Sequence, residues 1–191
     1  PQGRADYAFI QHILKSMDPR SGRCAILLPH GVLFRNEESE MRERLVRSDL
    51  VEAVIGLGAN LFFNSPMEAC ILICRSEKAP NRSKKILFVD ASAEVTRKNA
   101  QSYLEPQHIK RIVDAYRSDE DIEGFSSHAS FSELEDNAFS LSIPLYVKPS
   151  NDENADDRSI EETVESWRAA STEAASLLDN IAAKLHENDG E

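Results

Sequence analysis

Between residues 24 and 57 the sequence sets two short apolar runs on either side of a charged, helix-patterned stretch, and few architectures accept that order. Cys24-Ala25-Ile26-Leu27-Leu28-Pro29 is continuously apolar and does not alternate, the pattern of a strand covered on both faces. It follows a breaker cluster, Asp18-Pro19-Arg20-Ser21-Gly22, and reads as a central parallel strand. Asn36 is placed to cap a helix running to about Ser48. Glu37, Glu38 and Glu40 stand early in it and Arg42, Arg44 and Arg47 later, the charge order that suits the helix dipole, with Met41 and Leu45 as an inner edge. Val51-Glu52-Ala53-Val54-Ile55-Gly56-Leu57 is the second strand. Strand, helix and strand in that order predict a βαβ crossover in a mostly parallel sheet, and so an α/β fold.

The flanking segments extend this plan. Phe9, Ile10, Ile13, Leu14 and Met17 share one face of a helix over residues 5–17, with Asp6 in its first turn. Third and fourth strands are predicted from Glu68 to Arg75 and from Lys85 to Asp90. Residues 58–67 are too few for a crossover helix, so the second and third strands are expected to be antiparallel and the end of the sheet mixed. Pro106 suits a first helical position, and Ile109, Ile112, Val113 and Tyr116 follow at helical spacing. Ser130-Phe131-Ser132-Glu133 resembles a capping box for one more short helix.

The net charge of −11 argues against a nucleic-acid partner until it is divided by segment. Residues 151–191 hold 12 acidic and 3 basic residues, a net of −9, which leaves 21 against 19, or −2, in residues 1–150. The acidity belongs to the tail, and the body is free to meet DNA. No apolar run approaches the roughly 20 residues that cross a bilayer, and Pro1-Gln2-Gly3-Arg4 does not open a signal peptide. Cys24, Cys70 and Cys74 sit inside apolar runs and read as buried free thiols, which fits a reducing cytoplasm. No histidine lies at ligand spacing from a cysteine, so no metal site is expected.

Residues 148–158 are polar and strand-poor and are read as a linker, dividing a body over 1–147 from a helix over 159–187. In that helix Ile160, Val164, Trp167, Ser171, Ala174, Leu178, Ile181 and Leu185 form a heptad seam, which needs a partner helix. The seam could fold back on its own body. An intermolecular partner is favoured, because the linker gives reach and Trp167 is an aromatic of the kind that anchors interfaces.

Chemistry is sparse in the motifs. None of the seven glycines builds a phosphate-cradling loop, and Gly56-Leu57-Gly58 reads as a turn after a strand. His30 stands at a strand end, where α/β sheets place their sites, but no neighbour completes a mechanism and a turn role is preferred. Leu61-Phe62-Phe63-Asn64-Ser65-Pro66 puts two adjacent aromatics in a polar loop, where both cannot join the core on one face. Physics alone leaves a loop packed down by its Phe pair and a ligand-stacking loop level. Arg82, Lys84, Lys85, Arg97 and Lys98 could meet phosphates or form a solvated surface, and the solvated surface is preferred.

Four blocks in order carry a resemblance: Ala5-Asp6-Tyr7-Ala8-Phe9-Ile10-Gln11-His12-Ile13, Leu28-Pro29-His30-Gly31-Val32-Leu33-Phe34-Arg35, Val54-Ile55-Gly56-Leu57 with Leu61-Phe62-Phe63-Asn64, and Ile86-Leu87-Phe88-Val89-Asp90-Ala91-Ser92. Over residues 5–147 the chain resembles the modification subunit of type I restriction-modification systems, an N6-adenine DNA methyltransferase. The resemblance implies the C-terminal part of a Rossmann-like, S-adenosylmethionine-dependent sheet, mixed and antiparallel at its end, followed by a long C-terminal helix. The family's cofactor glycine loop and Asn-Pro-Pro-Phe motif do not occur here, since no two prolines are adjacent. No catalytic or cofactor-binding residue is therefore expected in the chain, which by itself should neither bind S-adenosylmethionine nor transfer methyl groups.

The family's aromatic-Asn-Thr loop stacks on the flipped adenine and matches Phe62-Phe63-Asn64-Ser65, making Phe62, Phe63 and Asn64 the stacking candidates. Gly58 stands where the family usually has Pro, and Ser65 where it usually has Thr. Implied partners are DNA, the specificity subunit, the restriction subunit and a second modification subunit. The specificity subunit would meet the helix through Ile160, Val164, Trp167, Leu178, Ile181 and Leu185. The competing expectation is a non-enzymatic module acting through that helix alone.

Overall fold

The computed structural model describes residues 4–99 and 101–148, and in the tail the helical residues 164, 165, 167, 168, 171 and 172. The chain divides into two units, Pro1–Ser150 and Asn151–Glu191. The first unit runs α1 (Asp6–Ser16), β1 (Arg23–Pro29), α2 (Ser39–Arg47), β2 (Val51–Leu57), β3 (Ala69–Arg75), β4 (Lys85–Ala91), β5 (Thr96–Lys98), β6 (Gln101–Tyr103), α3 (Pro106–Arg117), β7 (Ser126–Ser130) and α4 (Phe131–Asp136). Five strands form one sheet in the order β1-β3-β2-β4-β7, and β5 pairs with β6 in a separate hairpin.

The short connection after β2 turns the chain back, so β3 is antiparallel to β2 as expected, and β4 returns parallel to β2. β1 and β2 share a direction across α2, but β3 is inserted between them, antiparallel to both. The expected mostly parallel sheet is thus a mixed one in which β2–β4 is the parallel pair.

β2 is buried throughout because both of its faces are covered. On one face Val54, Leu72 and Phe88 pack with Tyr7 and Ile10 of α1, Val46 of α2 and Leu134 of α4. On the other, Ile55, Leu87 and Val89 pack with Ile112 and Ala115 of α3 and with Phe125. Successive residues of β4 alternate between the two clusters, the period of two that a pleated strand imposes.

β1 corrects the expectation of a central parallel strand. It is an edge strand that pairs with β3, its burial alternates, and Leu27 is 52% exposed. A continuous apolar run reports how much apolar surface a strand carries, and distant segments decide whether that surface is covered.

The helix expected from Asn36 is also corrected. Residues Asn36–Glu38 form a 3-10 turn and α2 begins at Ser39. Glu38 and Arg42, read as partners of the helix dipole, are buried. Arg42 donates from Nε to the Phe139 carbonyl (3.1 Å) and from a terminal nitrogen to the Arg35 carbonyl (2.9 Å), while Arg35 pairs with Asp6 (3.0 Å) and Glu38 (3.2 Å). In α1 the inward residues are Tyr7 and Ile10, and Phe9 faces solvent. The Ser130–Glu133 capping box forms as the sequence predicts, and α3 carries a second box from Glu105 to His108 that no sequence signal announced.

Cys70 and Cys74 are buried and Cys24, opposite Cys74 in register, is half-buried; all three are free thiols. Among the described residues no helix is long and apolar enough to cross a membrane. Val164 and Trp167 are helical and exposed, while Ile160, Leu178, Ile181 and Leu185 lie outside the described residues, as does the expected linker apart from Lys148.

Candidate functional site

The parallel pair ends with Leu57 opposite Ala91, and the loop to β3 and the turn into the β5–β6 hairpin leave the sheet from those strand ends, where open α/β sheets hold their ligands. Two contacts fix these segments to each other, and a third orders the turn after β4. The Ser102 amide donates to the Asn60 carbonyl (2.9 Å), Asp90 caps the turn after β4 by accepting from the Ser92 amide (3.0 Å) and hydroxyl (2.6 Å), and Gly58 lies against Ser92. A Cβ on Gly58 would stand 2.4 Å from the Ser92 carbonyl oxygen, so the close approach requires glycine in this conformation.

Gly56 lies inside β2, as the strand expected over Val51–Leu57 requires, and not in the turn that Gly56-Leu57-Gly58 suggests. Its missing Cβ is replaced by the Ile143 side chain. Both glycines therefore admit neighbouring protein atoms and form no cradle for a cofactor.

The loop after β2 ends in a tight turn: the Ser65 amide donates to the Phe62 carbonyl (3.1 Å), and Asn64 takes a left-handed backbone (φ 54°) that an Asn side chain tolerates. This separates the two aromatics. Phe62, 36% exposed, lines both a cavity of about 340 Å³ and an apolar cleft shared with Leu27, Leu28 and Met67. Phe63, at the turn's tip, is 91% exposed and lines the same 340 Å³ cavity. The loop is not packed down by its Phe pair.

The cavity's remaining wall is amide-rich: Asn60, Asn64, Asn99 and Gln101. Asn60, Asn99 and Gln101 were not singled out from the sequence. The available signal was the recurrence of asparagine in turns without glycine, and Asn60, Asn64 and Asn99 all adopt positive φ.

The other candidates separate clearly. His30 accepts its turn role at the start of a 3-10 segment; its Nδ1 meets Glu68 at 3.1 Å, and its buried Nε2 has no partner among the described residues. Arg82 is committed to the fold, donating to Asp119 (3.1 Å) and to the carbonyls of Tyr116 (2.8 Å) and Ser118 (2.7 Å). Lys84 lies over the Phe131 ring, and Lys85 borders an acidic cavity with Asp119, Glu120 and Asp121. Arg97 and Lys98 stand exposed on β5, and Lys98 lines a cavity that shares Asn99 and Gln101 with the amide-rich one. Among the described residues no group of three or more His, Cys, Asp or Glu side chains is arranged to hold a metal.

Buried ionisable groups elsewhere are structural. Burial pushes the Tyr7 phenol well above its ordinary value, and its hydroxyl donates to the Val32 carbonyl (3.2 Å). Glu52 accepts from Arg75 (3.1 Å) and from Tyr116 (2.6 Å). Burial pushes the Cys70 thiol up to about 12, which removes it as a nucleophile at neutral pH.

Comparison with known proteins decides the family. Residues 1–155 match the model of the N-6 DNA methylase family. The chain belongs to that family. This methylase chain is 32% identical over 185 residues to the type I restriction enzyme MjaVII methylase subunit of Methanocaldococcus jannaschii, covering 95% of this chain and 31% of the relative. It is 35% identical over 157 residues to the MjaVIII methylase subunit of the same organism, covering 80% and 27%. A crystal structure of a type I restriction-modification methyltransferase subunit from Streptococcus thermophilus superposes with a TM-score of 0.72 at 40% identity, over 78% of this chain and 31% of that one. The EcoKI M protein shares the fold at 15% identity and a TM-score of 0.63, over 95% of this chain and 44% of that one. The methylase chain thus spans about a third of the length of the curated relatives it matches.

Proposed function

We propose that this chain is the C-terminal half of the methyltransferase domain, with its C-terminal helix, of a type I restriction-modification methylase subunit that moves a methyl group from S-adenosylmethionine to N6 of adenine in DNA. The observation that carries the reading is Phe63, an aromatic ring held almost fully exposed at the tip of a defined turn, at the carboxyl end of a parallel strand pair. An exocyclic amine is a weak nucleophile inside a duplex, so the base must be flipped out and held between a stacking face and acceptors for the N6 protons. Phe63 supplies the face, with Phe62 behind it and Asn64 setting the turn.

The acceptors and the cofactor cradle belong to the Asn-Pro-Pro-Phe motif and the glycine loop, neither of which this sequence contains. The chain alone is therefore inactive. Leu27, Phe62 and Met67 form exposed apolar surface beside the open edge of β1, which suits cover by the cofactor-binding half. Val164 and Trp167, exposed on a helix, support docking to the specificity subunit through the heptad seam. The DNA, the restriction subunit and a second modification subunit complete the expected assembly.

The test is transfer of a labelled methyl group from S-adenosylmethionine to DNA by the methylase subunit assembled with its specificity subunit. Phe63→Ala should lower transfer about 10- to 100-fold, the worth of one base–aromatic stack, with an unchanged melting temperature. Wild-type transfer by that variant removes the stacking role, and transfer by this chain alone overturns the division of labour.

A further inference from the structure

The amide-rich cavity beside Phe63 does not end at the hairpin. Asn99 and Gln101 line it and also line a second cavity, of about 480 Å³, whose other walls are Lys98, Tyr103 and Glu105. The two cavities share this wall, which the β5–β6 hairpin supplies, and are taken together as one trough beside the Phe63 turn. We infer that this trough seats the DNA strand next to the flipped adenine, with Lys98 against a phosphate and the Tyr103 ring against the neighbouring base or sugar. The inference rests on the reading of Phe63 as the residue that stacks on the target base.

Four observations carry it. The hairpin is held by the site: the buried Ser102 donates its amide to the Asn60 carbonyl, so trough and turn keep a fixed relation. Register places Lys98 opposite Gln101 and Tyr103 opposite Thr96, so Lys98, Gln101 and Tyr103 share the hairpin face that Ser102 does not occupy. Among the described residues the outer cavity is lined by cationic, amide, aromatic and carboxylate side chains and by no aliphatic one, whereas protein-docking surfaces have an apolar centre. Cation plus exposed ring is the combination that holds single-stranded nucleic acid, the charge on the backbone and the ring on a base.

Glu105, the one carboxylate among the described residues of the trough, is occupied. Its side chain accepts from Gln107 (2.6 Å) and caps α3, and the hydrogen bond from Gln107 holds its carboxyl below the usual range. It stands 3.8 Å from the Lys98 ammonium, a loose contact that leaves Lys98 68% exposed in its side chain.

The experiment is fluorescence anisotropy of this chain with a fluorescein-labelled single-stranded oligonucleotide of about 16 nucleotides, over a range of salt concentrations. Tyr103→Ala should weaken binding about fivefold to tenfold. Lys98→Gln should weaken it and reduce the slope of log affinity against log salt by about 0.7, the share of one phosphate contact on a single strand. Both side chains are exposed, and unchanged melting curves will show that the fold is intact. Phe63→Ala runs in parallel. If it weakens binding while Tyr103→Ala and Lys98→Gln bind as wild type, the trough is wrong and the stacking reading stands. If the two trough variants weaken binding and Phe63→Ala does not, the trough carries DNA and the stacking reading fails. Absence of binding by the wild-type chain overturns the trough.

Discussion

Arg42→Ala tests the buried polar core that joins α1, α2 and the segment after α4. The Arg42 guanidinium, in a residue only 3% exposed, donates to the carbonyls of Phe139 and Arg35 at 3.1 and 2.9 Å. Truncation strands the Phe139 carbonyl and leaves the Arg35 carbonyl with the longer hydrogen bond from the Glu38 amide (3.3 Å), while Arg35 stays the ion-pair partner of the fully buried Glu38. Each hydrogen bond from a charged donor is worth about 1.5–3 kcal/mol, so the loss should total about 3–5 kcal/mol. At roughly 2–4 °C per kcal/mol for a domain of this size, the midpoint of thermal unfolding followed by circular dichroism should fall by about 6–20 °C. Arg44→Ala, on the exposed side of the same helix where Arg44 sits 3.7 Å from Glu40, is the control and should shift the midpoint by no more than about 1 °C. A shift below about 3 °C for Arg42→Ala, or an equal shift for both variants, would show that Arg42 does not hold this core together.

Two further outcomes follow from ionisation. The Ser130 amide and hydroxyl hold the Glu133 carboxyl below its ordinary range. A depressed folded value contributes stability that is present above the unfolded value and lost as pH falls through the folded one; wild type should therefore lose thermal stability between pH about 5 and below 4, and Glu133→Gln should lose less over that window. Cys70, with its thiol raised to about 12, and the buried Cys74 should resist alkylation by iodoacetamide in the native chain and react on unfolding, as read by mass spectrometry. Rapid native labelling at either site would show that the sheet opens there.

Much of the fold was legible because its signals are local. The capping box at Ser130, Pro106 opening α3, and the short connection that makes β3 antiparallel to β2 all involve residues a few positions apart. The ordered blocks of sequence were enough to point to the methylase family, since motif order survives without knowledge of contacts. The loop carrying Phe62, Phe63 and Asn64 was singled out by that resemblance, since two adjacent aromatics in a polar loop by themselves left a packed-down and a ligand-stacking loop level.

What the tertiary structure alone decided is who covers whom. Leu27 is exposed because β3 entered between β1 and β2, leaving β1 at the sheet's edge on the face where α3 packs over β2 and β4. Arg42 became a core residue because its acceptor, Phe139, lies 97 positions away. Phe62 and Phe63, adjacent and chemically identical, parted because the hydrogen-bonded turn between Phe62 and Ser65 sends one toward a cleft and the other to the tip. The trough exists because Ser102 reaches back to Asn60 across two loops. Periodicity and capping are set by backbone geometry within a turn or two, and so can be read along the chain. Burial and site shape depend on which distant segments meet, and that is settled only when the whole sheet assembles.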